Sequence, residues 1–132
     1  MIEEMLHLEP RFKVKGDLMR IGELSRRTGI STSRIRFYET HDVLPKPIRG
    51  ENGYRTYPDT AVKILELIDG AQRLGFSLNE IRAGLSEAAP NLPSHAAMAK
   101  ALRSKLDHID QHIKEVRARR RQIVKLLKEK YD

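Results

Sequence analysis

The chain has 132 residues, of which 39% are hydrophobic and 33% are charged, and its formal net charge is +7. This length accommodates one modest domain plus an extension. The basic excess favours a polyanionic partner, either nucleic acid or an anionic membrane surface. Because these residues include no cysteine, disulfides, iron–sulfur clusters and thiolate metal sites are excluded from them, and a cytoplasmic location fits. No apolar run of about 18 residues occurs, so we expect no membrane span.

Residues 1–18 are predicted to form an N-terminal extension. They mix charged side chains of both signs, and Pro10 and Gly16 interrupt them. They also lack the apolar core of a signal peptide. Phe12 and Val14 leave open a short strand within this extension.

Two short helices separated by a glycine are predicted from Met19 onward. Gly29 supplies the left-handed residue that ends the first helix. Ser31 or Thr32 then caps the second helix, which ends before Pro45. The apolar positions that set this spacing are Ile21, Leu24, Ile30, Ile35 and Tyr38. A helix, a glycine-containing turn and a second helix form a helix-turn-helix.

The second helix carries the residue types that recognition of DNA requires. Thr32 and Ser33 place short hydroxyls near its N-terminus, where backbone amides can meet a phosphate. Arg34 and Arg36 are long donors suited to bidentate contact with guanine. Tyr38 is a further candidate contact, although its position also fits the domain core. The alternative is an amphipathic surface helix with solvated arginines.

A small β-hairpin, or wing, is predicted after this helix. Asn52-Gly53 indicates a tight turn, because both residues tolerate positive φ. Guanidiniums and tyrosine hydroxyls on a protruding hairpin are suited to phosphate contact. The candidates of this kind are Arg49, Tyr54 and Arg55.

Two further helices are predicted between the wing and a proline-containing linker. Asp59 is the expected cap of the first, which ends near Gly75. Ser77 and Glu80 form a capping box that begins the second. Pro90 and Pro93 then mark the linker, so we expect a DNA-binding domain with linker helices over residues 19–86.

A long helix is predicted over residues 94–132, which contain neither glycine nor proline before the chain end. Its apolar residues alternate by four and three positions, once Arg120 is counted at the vacant position. This spacing is typical of a coiled-coil seam, and so small a domain cannot bury it alone. We therefore expect the helix to pair with a second copy. The seam consists of Leu102, Leu106, Ile109, Ile113, Val116, Ile123 and Leu127.

The long helix is also the most basic part of the chain, with eleven basic and five acidic residues over 94–132. His108 and His112 are spaced to chelate a metal on one helical face, but no third ligand is well placed. We interpret them as solvated side chains beside the seam, and predict neither a metal nor a cofactor. No nucleophile–base pair or phosphate-binding glycine loop indicates an enzyme.

Four segments in this order resemble the MerR family of bacterial transcriptional regulators. They read IGELSRRTG at 21–29, IRFYE at 35–39, ENGYRTY at 51–57 and LGFSLNEI at 74–81. The resemblance implies a mainly α fold, with a winged helix-turn-helix domain and a long C-terminal helix that pairs antiparallel with its twin. It also implies a homodimer that binds and distorts a palindromic promoter site, with RNA polymerase as a partner.

By position, the resemblance implies roles for individual side chains. Ser33 and Arg36 match base-proximal or backbone contacts of the recognition helix, whereas Arg49, Tyr54 and Arg55 match phosphate contacts of the wing. Arg34 stands where the family often has a small residue.

Three departures from the family limit this comparison. Asp42 stands where a glycine often ends the recognition helix, but aspartate tolerates the left-handed conformation. The N-terminal extension is longer than usual, and we expect neither a metal loop nor a large effector domain after the long helix. Two alternatives remain at this point. One is an architectural or excisionase-like winged-helix protein, and the other is a basic coiled-coil module that binds RNA or membrane.

Overall fold

A computed structural model describes residues 18–50 and 53–132 of the chain. The predicted extension, including its possible strand, lies outside the described residues except for Leu18. The chain divides into two compact units between Leu92 and Pro93.

The described part of the first unit contains four helices and one antiparallel hairpin. In chain order they are α1 (Ile21–Thr28), α2 (Thr32–Thr40), β1 (Ile48–Arg49), β2 (Arg55–Thr56), α3 (Thr60–Arg73) and α4 (Leu78–Ala88). The second unit is α5 (His95–Leu126), which continues into a π-helical turn at Leu127–Tyr131. The chain is therefore mainly α, with the predicted winged helix-turn-helix and long C-terminal helix.

The turn between α1 and α2 forms as the sequence predicts. Gly29 has a φ of 76°, and its N–H donates to the carbonyl of Ser25, which ends α1. Ser31, the first of the two predicted candidates, caps α2 by accepting a hydrogen bond from the backbone N–H of Arg34 at 3.2 Å. These contacts fix where the recognition helix begins.

The end of α2 confirms the interpretation of Asp42. This residue has a φ of 57°, and its N–H donates to the carbonyl of Glu39. The N–H of Val43 reaches back to the carbonyl of Tyr38, which completes a Schellman motif. An aspartate thus takes the place that a glycine usually occupies.

The wing is a hairpin whose loop is longer than a tight Asn-Gly turn. Arg49 pairs with Arg55, and the N–H of Gly50 donates to the carbonyl of Tyr54 at 2.9 Å. Gly53, with a φ of 84°, donates back to the carbonyl of Gly50. The loop therefore spans three residues, and Gly53 takes the left-handed position that follows the turn.

The two linker helices differ in how they begin. Asp59 occupies the predicted N-cap position of α3, but its side chain makes no capping hydrogen bond. Its carboxylate instead accepts from Arg27 of α1 at 3.2 Å. At α4 the predicted capping box is present, with Ser77 and Glu80 bonded reciprocally at 3.1 and 2.8 Å.

The core of the first unit holds α2 in place. Ile35 and Tyr38 of α2 are buried against apolar residues of α1, α3 and the wing. Each fully buried aliphatic side chain of this kind contributes about 1.5–3 kcal/mol. Met19 extends the wing, since its backbone exchanges hydrogen bonds with Tyr57 at 2.9 and 2.7 Å. The buried apolar residues are Met19, Leu24, Ile30, Ile35, Tyr38, Val43, Leu44, Tyr57, Ala61, Leu65, Ile68 and Ile81.

The long helix α5 has no buried residue of its own. Its 32 residues correspond to a length of roughly 48 Å. Every seam residue is exposed, from 41% at Ile113 to 58% at Ile123. Among the described residues, no helix is long and apolar enough to cross a membrane.

Candidate nucleic-acid interface

One face of α2 is free of the core and carries polar and aromatic side chains. Ser33, Arg36, Phe37 and Thr40 are exposed, and their spacing places them along one side of the helix. Thr32 is half-buried at the first turn. A helix that buries one side and exposes another rich in donors can lie in a groove of duplex DNA.

The two arginines of α2 have different environments. Arg34 donates from Nη2 to Asp69 of α3 at 2.9 Å and from Nε to the hydroxyl of Tyr38 at 3.0 Å. Arg36 is exposed and, within the described part of the chain, has no ion-pair partner. Of the two predicted base-contacting arginines, Arg36 is therefore the one whose guanidinium is available.

Tyr38 is not a surface residue, and its assignment as a DNA contact is wrong. Its side chain is 1% exposed, and its hydroxyl donates to Gln72 of α3 at 2.7 Å. The same hydroxyl accepts from Arg34. The helical spacing admitted both interpretations, and the packing of α2 on α3 decides for the core.

The predicted wing residues lie together on the hairpin. Arg49 donates to the carbonyl of Gly53 at 3.1 Å, so its guanidinium is held against its own loop. Tyr54 is half exposed, and the guanidinium of Arg20 lies 3.7 Å above its ring. This cation–π contact brings a further basic side chain to the wing.

A cleft of about 220 Å³ separates the end of α2 from the wing. Among the described residues, three cations line it, and one carboxylate, that of Glu39, faces them. A cleft with excess positive charge and flexible donors suits a backbone phosphate. Its lining residues are Glu39, Thr40, Lys46, Pro47, Arg49 and Arg55.

A buried hydrogen bond links α2 to the wing behind this cleft. The hydroxyl of Tyr57 donates to Oε2 of Glu39, and Nη1 of Arg55 lies 3.7 Å from Oε1 of the same carboxylate. Burial, followed by the bond to Glu39, raises the pKa of the Tyr57 phenol above its usual range. The guanidinium of Arg55 therefore lies beside the recognition helix.

Sequence reasoning missed several residues that the fold adds to this surface. Phe37 is exposed beside Arg36, and its ring lies 4.1 Å from that of His41. Lys46 and Glu39 line the cleft, and Arg20 covers Tyr54. Phe37 lies four residues after Ser33 and three before Thr40, and this helical spacing on the polar face could have indicated its exposure.

The histidine pair of α5 does not gain a third ligand. Within residues 18–50 and 53–132, no group of three or more potential ligand side chains is arranged to hold a metal ion.

Two sequence profiles match the chain over the elements just described. The profile of the MerR HTH family regulatory protein matches residues 19–88, and the profile named MerR, DNA binding, matches residues 62–126. The chain belongs to the MerR family of transcriptional regulators. As a MerR regulator it is a DNA-binding protein.

Curated relatives agree with this assignment. The chain is 34% identical over 112 residues to the HTH-type transcriptional regulator CueR of Yersinia pestis, covering 84% of this chain and 80% of that protein. It is 36% identical over 109 residues to the regulator HmrR of Rhizobium leguminosarum bv. viciae, covering 83% and 84%. Both relatives are named as regulators of transcription.

A solved structure with the same fold is that of the regulator PbrR691 from Ralstonia metallidurans CH34 in complex with lead(II). It superimposes with a TM-score of 0.67 at 29% identity, covering 83% of this chain and 86% of that one.

Proposed function

We propose that this MerR regulator binds a palindromic promoter site as a homodimer, with α2 in the major groove and the wing on the adjacent backbone. Arg36 reads a base edge or a key phosphate, and Ser33 contacts the backbone near the N-terminus of α2. Arg49, Tyr54 and Arg55 contact phosphates from the wing, and Thr32 and Arg34 stay on the edge of this surface.

The observation that carries the proposal is the exposed guanidinium of Arg36, which has no ion-pair partner among the described residues and lies one turn before the cationic cleft. Arg36 lies on the same helical face as Ser33 and Phe37, clear of the core. The cleft begins at Thr40, one turn further along that face. A donor that can read a base edge thus lies next to a cleft that can bind a phosphate. Specific recognition needs both, because phosphate contacts position the protein and base contacts read the sequence.

Arg36→Ala tests the recognition surface. We expect the affinity for a selected operator to fall by about 1–3 kcal/mol, with a smaller loss on random duplex. Arg121→Ala is the matched control, since it removes the same charge from an exposed position of α5. Equal losses in both variants, or an unchanged affinity in folded Arg36→Ala, would contradict the placement of α2.

Homodimerisation follows from the exposed seam of α5. The apolar stripe, interrupted only at Arg120, is exposed in the described part of the protomer and so calls for a partner, and a second copy presents the same stripe. A symmetric dimer carries two copies of α2, so its operator should contain two inverted half-sites, about one or two helical turns apart. Each half-site alone binds weakly, because the link between the subunits raises the effective concentration of the second contact.

Ile113→Asp tests this arrangement, because it introduces a carboxylate into the seam, where burial without a partner is costly. We expect a monomer with a folded first unit and weakened operator binding. Ala118→Asp is the control, since it places the same charge on the exposed outer side of α5. A dimeric Ile113→Asp, or a monomer with full operator affinity, would remove α5 as the dimerisation element.

At the promoter we propose that the dimer bends and untwists the DNA so that RNA polymerase can engage it. The energy needed to bend and untwist DNA depends on the DNA sequence, so this deformation also contributes to the choice of site. A bacterial regulator must be in the same compartment as the promoter DNA that it binds, so we propose that this protein is cytoplasmic.

A further inference from the structure

We propose that Phe37, held against His41, reads the 5-methyl group of one thymine in each half-site of the operator. This inference rests on the function proposed above, in which α2 lies in the major groove, and it adds a base preference that the donors of α2 do not supply. In the major groove, the methyl group of thymine is the distinctive apolar group among the base edges. An apolar side chain on a recognition helix can therefore distinguish thymine from the other bases without a hydrogen bond.

Phe37 lies on the side of α2 that faces away from the core. It follows the buried Ile35 by two residues, which turns it roughly 200° around the helix axis. Its ring is 45% exposed. The neighbours of the ring on this face are the exposed polar residues Ser33, Arg36 and Thr40. The core therefore leaves much of the ring uncovered, at a place where a base edge would meet it.

Neighbouring aromatic rings hold the ring of Phe37 in one position. Its centroid lies 4.1 Å from that of His41, in a tilted arrangement. It lies 6.0 Å from the centroid of Tyr38, whose ring meets it edge to face. Aromatic rings at these separations attract each other. A ring that is fixed before binding loses less conformational freedom when it packs against a base, so less of the contact energy is spent on ordering it.

The end of α2 fixes His41 in turn. The backbone N–H and Nδ1 of His41 approach the carbonyl oxygen of Phe37 at 3.1 and 2.9 Å, and Nδ1 donates because a carbonyl can only accept. The carbonyl of His41 accepts from Nε of Arg82 on α4 at 3.0 Å. His41 is therefore a positioning residue for Phe37, and the two rings form an aromatic platform beside Arg36.

Replacement of thymine by deoxyuridine tests the proposal, because it removes the 5-methyl group and keeps the base pair. The probe is an operator duplex selected from a random pool by the purified full chain, in which each thymine of the half-sites is replaced in turn. We expect one thymine in each half-site whose replacement weakens binding about fourfold, which corresponds to the burial of one methyl group. Replacement at both symmetric positions should weaken binding about 15-fold, since the two sites add independently.

Variants of the platform identify the side chain that reads the methyl group. Phe37→Ala should bind the thymine and deoxyuridine duplexes with equal affinity, and its exposed position should leave the fold intact, which thermal unfolding checks. Leu74→Ala is the matched control, because it removes another exposed apolar side chain at the end of α3 and should keep the fourfold preference. His41→Ala should lose part of the preference, and His41→Phe, which retains a ring, should recover it.

Three results would overturn the proposal. The first is a selected operator in which no thymine replacement changes the affinity of the wild-type chain. The second is a Phe37→Ala variant that keeps the thymine preference, because another group would then read the methyl. The third is a Phe37→Ala variant that binds both duplexes more weakly and still by the same factor, which would indicate a contact with deoxyribose. A wild-type chain that selects no duplex would instead contradict the proposed function, and this inference with it.

Discussion

The buried carboxylate of Glu39 accepts a hydrogen bond from the hydroxyl of Tyr57, and this contact joins the last turn of α2 to the end of the wing. Both side chains are almost fully buried, at 5% and 1% exposure. Arg55 lies on the free side of the same carboxylate. The recognition helix and the wing are thus connected through one polar group inside the domain, so a change there should alter their relative positions.

Tyr57→Phe should destabilise the first unit. The substitution keeps the ring in the core but leaves the buried carboxylate of Glu39 without its donor, which costs about 1–3 kcal/mol. Urea denaturation of the two proteins at neutral pH measures this loss. A variant as stable as the wild type would show that the contact contributes nothing to the fold.

The same pair predicts a dependence on alkaline pH. The pKa of Tyr57 is raised in the folded protein, so the protonated phenol contributes stability that is fully present below the unfolded pKa of 10.0. This contribution is lost as the pH rises above that value towards the folded pKa. The stability difference between the wild type and Tyr57→Phe should therefore narrow above about pH 10. A difference that stays constant there would contradict this linkage.

Arg34→Ala should weaken the fold more than it weakens recognition. The guanidinium of Arg34 bridges Asp69 of α3 and the hydroxyl of Tyr38, and its loss should lower the free energy of unfolding by about 0.5–1 kcal/mol. Its effect on the ratio of operator to random-duplex affinity should be smaller than that of Arg36→Ala. A larger loss of specificity in Arg34→Ala would reverse the roles given to the two arginines.

Arg55→Ala should reduce the salt dependence of binding. If Arg55 contacts a phosphate, its removal lowers the number of released counterions, and the slope of log affinity against log salt becomes shallower by about one. The affinity for all sequences should fall alike. Arg55→Lys retains the charge and should keep the slope of the wild type, and an unchanged slope in Arg55→Ala would remove the wing from the phosphate contacts.

Asp42→Gly should stabilise the domain by about 0.5–1 kcal/mol, because glycine adopts a φ of 57° without the steric strain of a side chain. The substitution removes only an exposed 3.8 Å ion pair with Lys46, which contributes little. Asp42→Ala is the contrasting variant and should be less stable than the wild type. Thermal unfolding of the three proteins measures the order, and a less stable Asp42→Gly would contradict it.

The elements of this fold could be predicted because their signals are local. Gly29 ends α1, Ser31 caps α2, and the reciprocal bonds of Ser77 and Glu80 begin α4, as the sequence alone indicates. The seam of α5 has a spacing that needs no tertiary context to be recognised. Each of these features depends on residues within a few positions of one another.

The errors concern contacts between residues far apart in the chain. Asp59 stands at the N-cap of α3, but its carboxylate accepts a hydrogen bond from Arg27, 32 residues earlier, and not from the first turn of the helix. Tyr38 is buried in the core and its hydroxyl donates a hydrogen bond to Gln72 of α3, a neighbour that helical spacing within α2 cannot reveal. The link between Glu39 and Tyr57 is of the same kind, since neither residue predicts the other in sequence.

The central claim is that a symmetric dimer reads DNA through two copies of α2. Selection of bound duplexes from a random pool by the purified full chain, followed by sequencing, tests it most directly. The account predicts an enriched inverted repeat with half-sites about one or two helical turns apart, lost when the selection is repeated with Arg36→Ala. Enrichment of a single unrepeated motif, or of the same repeat by Arg36→Ala, would contradict it.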